Sequence, residues 1–157
     1  MVVMNIILRA VATDEAASLV PILLAADEDE ARVRTQVADT RFTAYMALLD
    51  EAMIGAALLR WQEDESEVEY IAVVEHLRGQ GYGKPMMAAL VAEARRRGIR
   101  SLLIGTDNTA FATIAFYQKC GFRMDFVRRD YFSYIQPPIV NNGIALRDML
   151  VLRYTLA

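Results

Sequence analysis

Between Ala72 and Lys84 a strand-like apolar run, Ala72-Val73-Val74, is carried into a helix through the turn Arg78-Gly79-Gln80-Gly81-Tyr82-Gly83-Lys84. Such a junction restricts what can be built around it. Glycines let the backbone turn tightly and approach a ligand closely, and the first N–H groups of the following helix have no partner inside it. An anion can supply that partner. The helix dipole contributes about 0.3–1 kcal/mol, and Arg78 and Lys84 add positive charge at the same end. A strand, a Gly-x-Gly and a helix can also serve close packing alone, so the spacing has to discriminate. It is neither the dinucleotide-binding Gly-x-Gly-x-x-Gly nor the phosphate loop that ends in Gly-Lys-Ser/Thr.

The rest of the chain sets the scale. With 157 residues it fits one domain, residues 1–157, long enough to bury roughly two thirds of its unfolded surface. A hydrophobic content of 55% and a charged content of 24% argue against disorder. A net charge of -3 argues against nucleic acid as the main partner, because neutralising phosphates takes a basic face. The single cysteine, Cys120, excludes an internal disulfide and forms no metal-ligand pattern with the single histidine, His76. A reducing cytoplasm fits that usage. The apolar start, Met1 to Leu8, has no basic segment before it and reads as a first strand rather than a signal peptide. Apolar stretches such as Ala52 to Leu59 fall far short of the ~20 residues that span a bilayer, so no membrane anchor is expected.

Asn5 to Val11 reads as a strand, and Thr13 suits the N-cap of a helix running to Ala25, which Pro21 should bend or interrupt. Glu28 to Val37 is a second helical pattern. Phe42 to Leu49, Met53 to Trp61 and Glu67 to Val74 read as an antiparallel meander divided by acidic turns. Tyr82 to Arg97 is a long helix closed by Gly98, with Arg95, Arg96 and Arg97 as either a solvated helix end or a binding patch. A strand from Ser101 to Ile104 and a helix from about Ala110 to Lys119 follow. The closing strands run from Phe122 to Tyr134 and from Ala145 to Leu156, around a turn-rich loop with Pro137, Pro138 and Gly143. This order gives an α/β arrangement around one mixed sheet.

Arg78-x-x-Gly81-x-Gly83 after an Ala-Val strand end resembles the pyrophosphate-binding turn of the GNAT superfamily, the acyl-CoA-dependent N-acyltransferases. The block Ile114-Ala115-Phe116-Tyr117-Gln118-Lys119-Cys120-Gly121-Phe122 is similar to that family's later helix, which carries a tyrosine and ends in Gly-Phe. The resemblance covers nearly the whole chain. It implies a mixed, largely antiparallel sheet of about seven strands, splayed near its centre and flanked by about four helices. The implied reaction moves an acetyl group from acetyl-CoA directly to a primary amine, with no metal. The acceptor is a small-molecule amine or, alternatively, a protein N-terminus, the latter because Arg128 to Phe132 is similar to a stretch of ribosomal-protein N-terminal acetyltransferases. A non-catalytic acyl-CoA-binding module is the reading from another class. Family habit also implies a homodimer.

Residue by residue, the resemblance implies that the Ala72 and Val73 backbone pairs with the pantetheine arm. The turn Arg78, Gly79, Gln80, Gly81, Tyr82, Gly83 and Lys84 would hold the pyrophosphate. At Gly81 and Gly83 a side chain would enter the phosphates or force unfavourable backbone angles. Pro85 removes one helix N–H, so the donors must precede it. Tyr117 is implied as the proton donor to the departing thiolate, or else it is a core tyrosine. Glu67 and Glu69, alternating onto one face of the strand that enters this site, are either the base for the amine or a pair of solvated carboxylates. The family's asparagine seven residues before the tyrosine is Ala110 here; Asn108, nine before, either contacts the pantetheine or caps the helix, as Thr109 also could. Cys120 reads as packed and His76 as exposed.

Overall fold

A computed structural model describes residues 4–156, so Met1–Val3 of the apolar start lie outside the described residues. Strand β1 spans Ile7–Val11. It is followed by a 3-10 turn, Ala16–Leu19, and by helices α1, Val20–Leu23, and α2, Glu30–Ala38. The antiparallel strands β2, Thr43–Leu49, β3, Ala52–Arg60, and β4, Glu65–Val73, lead through a second 3-10 turn, Glu75–Leu77, into helix α3, Gly83–Arg96. Strand β5, Ser101–Asp107, helix α4, Phe111–Lys119, strand β6, Arg123–Arg128, the short pair β7, Val140–Asn141, and β8, Ile144–Ala145, and strand β9, Met149–Thr155, complete the order. Seven strands make one sheet in the order β1-β2-β3-β4-β5-β9-β6, and β7 pairs with β8. Within the large sheet the central β4·β5 pair is parallel and its neighbours are antiparallel.

Each face of the sheet is covered for a sequence reason. Helix α3 turns Met87, Leu90, Val91 and Ala94 onto Val68, Leu102, Ile104 and Leu152. Those positions repeat at helical spacing, and each large buried aliphatic contributes about 1.5–3 kcal/mol. On the other face Leu19, Val20, Leu23, Val33 and Val37 pack against Ala44, Ala56, Leu58 and Tyr70. Asp29 starts α2 by accepting the Arg32 N–H at 3.1 Å. At the far end of α3, Gly98 takes φ 73° and the Ile99 N–H reaches the Ala94 carbonyl at 3.1 Å. Arg96 and Arg97 hold Glu93 there, at 2.6 Å and 2.8 Å, so the arginine run is a helix end.

The early and late segments differ from the sequence expectation. Thr13 caps nothing: the position before the first 3-10 turn is Glu15, without a side-chain cap bond. Pro21 sits in the first turn of α1, so the expected single helix is a 3-10 turn followed by one α-helical turn. The closing strand expected to reach Tyr134 ends at Arg128. Asp130 then takes φ 54°, and the chain folds back in turns closed by Ser133 N–H to Asp130 and Ile135 N–H to Phe132.

Gly55 sets how closely β3, β4 and α3 approach. A Cβ there would lie 2.4 Å from the Ala72 carbonyl oxygen and 2.6 Å from Met86 Cε. Methionine can move, but the β4 backbone cannot without breaking the ladder. Gly55→Ala is expected to cost about 2–3 kcal/mol through overpacking, read as a lower urea midpoint at unchanged slope.

Candidate functional site

Strands β4 and β5 pair only from Glu65–Val68 against Ser101–Ile104. Beyond that point β4 stays with β3 and β5 stays with β9, so the sheet forks at its centre. The Val74 N–H donates to the Ile54 carbonyl at 2.9 Å, so by alternation Ala72 turns its peptide groups toward β3 while Ile71 and Val73 turn theirs into the fork. The Val73 carbonyl there accepts from Arg78 Nε at 3.0 Å. The free edge expected at Ala72 and Val73 therefore belongs to Ile71 and Val73. A cleft of about 830 Å3 opens beside it, lined by Glu69, Tyr70, Ile71, Gly105, Thr106 and Tyr117 among others.

At the lip of the fork the glycine turn enters α3. Gly79 and Gly81 take φ 74° and 88°, and a Cβ at either would meet nothing within 4 Å, so space outside the turn is open to a ligand. Gly83 is different: a Cβ there would sit 3.1 Å from Phe116 Cζ, so its constraint is the approach of α3 to α4. Tyr82, at the N-cap, makes no side-chain cap bond, and the helix's internal bonds begin with Met86 N–H to Tyr82 at 3.1 Å. The N–H groups of Gly83 and Lys84 thus precede Pro85 without an intrahelical acceptor. Gln80 turns its amide back onto the His76 carbonyl at 2.9 Å.

Tyr117 projects from α4 into the cleft. It is 9% exposed, with ring centroids of Phe116 and Phe122 at 5.8 Å and 6.2 Å. Burial, with a smaller contribution from Cys120, pushes its phenol well above the usual tyrosine range. Its hydroxyl makes no hydrogen bond among the described residues, which leaves the O–H to the cleft.

The two strand glutamates part company. Glu67, 7% exposed, is held by Arg128 at 2.7 Å and Arg60 at 3.3 Å, and it does not line the cleft. Glu69 does. On β3 Leu58 faces Tyr70 and Leu59 faces Val68, which leaves Glu69 as the unpaired residue of a β-bulge. The bulge also switches faces: Val68 packs under α3, while Tyr70 packs with α1 and α2. Burial and then the charge of Glu67 push the Glu69 carboxyl above its ordinary range; the Gln36 amide, Arg32 and Arg60 offset part of that.

Asn108 is occupied elsewhere. Its Oδ1 accepts from the Arg147 and Asp148 N–H groups at 2.9 Å and 3.1 Å, and its Nδ2 donates to the Ala145 carbonyl at 3.1 Å. It therefore neither caps α4 nor lines the cleft: the N-cap is Ala110, with no side-chain cap bond, and Asp107 accepts from the Thr109 N–H at 2.8 Å ahead of the helix. Cys120 is partly buried, and burial raises its thiol pKa. Sequence reasoning did not single out the cleft's far wall, where Arg32 meets Asp27, Tyr131 and Tyr134. The signal available was a cluster of aromatics in a segment that read as strand.

The acetyltransferase (GNAT) family model matches residues 10–122. The uncharacterized N-acetyltransferase YvbK of Bacillus subtilis is 33% identical over 112 residues, 70% of this chain and 72% of that protein. The ribosomal protein bS18-alanine N-acetyltransferase of Escherichia coli K12 is 27% identical over 92 residues, 59% of this chain and 62% of that one. Among solved structures, the IAA acetyltransferase from Bacillus cereus superposes with a TM-score of 0.81 at 34% identity, covering 97% of this chain and 100% of that one. A GNAT acetyltransferase from Elizabethkingia anophelis with acetyl-CoA bound superposes with a TM-score of 0.84 at 29% identity, covering 97% and 99%.

Proposed function

The chain belongs to the acetyltransferase (GNAT) family, and from that premise we propose that it transfers an acetyl group from acetyl-CoA directly to a primary amine of a small molecule. The observation that carries this reading is the fork: Glu69, Tyr117 and the unpaired β4 edge at Ile71 line one cleft, and the chain leaving that edge turns into the uncapped start of α3. The Ile71 and Val73 peptide groups suit the amide-rich pantetheine arm as an added strand. The N–H groups of the turn ahead of Pro85 suit its diphosphate. Acetyl-CoA supplies the activated acetyl thioester, and the chain supplies orientation and proton handling.

Glu69 takes the proton from the amine as the N–C bond forms. A lysine-like amine with pKa ~10.4 costs about 4.6 kcal/mol to deprotonate at pH 7, against near 1 kcal/mol for an α-amine at ~8. A carboxylate with a raised pKa, itself on the cleft wall, narrows that gap. Tyr117 donates its O–H to the sulfur as the C–S bond breaks. Full proton transfer from an ordinary tyrosine to an alkyl thiolate is already uphill by about 2 kcal/mol, and burial of Tyr117 makes it steeper, so its contribution is a hydrogen bond. Glu67 holds Arg60 and Arg128 under the site.

Thiol release from acetyl-CoA over a panel of amino acids, polyamines, aminoglycosides and short peptides tests the reading. Release with small amines supports it. Release with peptides alone would move the acceptor to a protein N-terminus, the reading that the E. coli relative favours. Tight acetyl-CoA binding with no release would leave a binding module.

Glu69→Gln is expected to lower kcat/KM about 10- to 100-fold and to flatten its rise with pH. Stability moves the other way. A carboxyl whose folded pKa is raised stabilises the protein fully below its unfolded pKa, and that contribution is lost as pH rises through the folded value. The glutamine variant should therefore melt higher than the parent at pH 8 and equally near pH 4. Equal melting at both values would mean the carboxylate is at no disadvantage in the fold.

A further inference from the structure

The far wall of the cleft carries a cation in an unusual setting. Arg32, in the first turn of α2, points its Nε toward Asp27 at 3.6 Å. Its Nη2 donates to the Tyr131 hydroxyl at 2.8 Å, and its Nη1 donates to the Tyr134 hydroxyl. All three side chains line the cleft. Each phenol oxygen accepts from the guanidinium, so each phenol hydrogen is free to be given to something else. The two donors lie side by side because they sit on the two Nη atoms of one planar group. Burial raises the pKa of Tyr134, which keeps its proton in place.

The carboxylates around the same cleft do not cancel this arrangement. Asp27 accepts from the Tyr70 hydroxyl at 2.8 Å and the Asp29 N–H at 3.0 Å, Asp29 caps α2, and Asp107 accepts from Thr109 at 2.6 Å. Glu28 stands at the exposed rim, and Glu69 is the carboxylate assigned to the amine end. Arg32 is the one Lys, Arg or His among the residues lining the cleft.

We propose that Arg32, Tyr131 and Tyr134 form a carboxylate subsite, so that the acceptor is an amine that also carries a carboxylate, as an amino acid does. This rests on the acetyltransferase reading for the amine end, which would lie between Glu69 and Tyr117 on the same cleft. A carboxylate accepts two parallel donors and is favoured by the guanidinium behind them. The aromatic rings of Tyr131 and Phe132, 5.0 Å apart by centroid, supply an apolar wall beside it.

The test separates the subsite from the chemistry. Calorimetry compares 3-phenylpropionate with 3-phenylpropionamide, neither of which has an amine, on the parent and on the double variant Tyr131→Phe/Tyr134→Phe, which keeps both rings. The parent is expected to bind the carboxylate at least about tenfold more tightly than the amide, and the double variant to lose that preference. Equal binding of the two compounds, or a preference that survives in the double variant, overturns the subsite. Thiol release with an amino acid and with its carboxamide then tests the acceptor. The free acid should have the lower KM in the parent, and the difference in KM between acid and carboxamide should vanish in the double variant. A carboxamide used as well as the acid overturns the acceptor class. Carboxylate binding without thiol release on any amine would instead count against the acetyltransferase reading.

Discussion

Gly81→Val is expected to lower the affinity for acetyl-CoA by more than about 100-fold, measured by calorimetry, while leaving the far-ultraviolet spectrum unchanged. Two costs add. At φ 88° the backbone at residue 81 lies in the left-handed region, where a β-branched residue is a strong outlier and an L side chain costs about 1–2 kcal/mol or more. The chain relieves that cost by rotating the turn, which moves the N–H groups ahead of Pro85 out of line. Nothing of the protein lies within 4 Å of the added Cβ, so the valine meets no packed neighbour and the core under α3 is not asked to move. A loss of 100-fold corresponds to about 2.7 kcal/mol, the scale of one or two hydrogen bonds to a charged group. Gly81→Ala separates the causes: the smaller side chain suffers less backbone strain and should keep part of the affinity. Unchanged binding in both variants would remove the turn from the diphosphate site.

Tyr117→Phe is expected to lower kcat about 10- to 100-fold with little change in the affinity for acetyl-CoA. The ring remains packed against Phe116 and Phe122, so only the O–H is lost, and among the described residues that hydroxyl has no partner to leave stranded. The loss is the strength of one hydrogen bond to a developing thiolate, roughly 1.5–3 kcal/mol. Because the phenol is held above its usual pKa, the parent's rate should show no fall on the alkaline side attributable to tyrosine ionisation below pH 10. A variant within a few-fold of the parent in single-turnover rate would make Tyr117 a core residue and no more.

The parts of the site that were legible in the sequence are those whose residue types have one local meaning. Gly79, Gly81 and Pro85 mark a tight turn and a helix start wherever they fall, and the apolar spacing of Met87, Leu90, Val91 and Ala94 can only be one face of a helix. The seven-stranded sheet and the tyrosine block followed from those signals and the resemblance. The bulge at Glu69 was not legible. Counting alternate residues treats Glu67 and Glu69 as equivalents, whereas an unpaired residue on β4 separates an ion-paired glutamate from one on the cleft wall. Asn108 misled for a related reason: its partners are three backbone groups about 40 residues away in sequence, which no local pattern announces. The break at Asp130 was hidden because Arg128 to Tyr134 has the aromatic composition of a strand, and only the left-handed turn shows that it leaves the sheet.

The segment from Asp130 to Asp148 leaves the sheet after β6, lines the cleft and rejoins at β9, moored near its start by the grip of Arg32 on Tyr131 and Tyr134 and near its end by Asn108. Neither mooring draws on the aliphatic core beneath α3. The wall that we propose for the acceptor is therefore built as an exchangeable panel: its sequence can change or lengthen without asking the core beneath α3 to move.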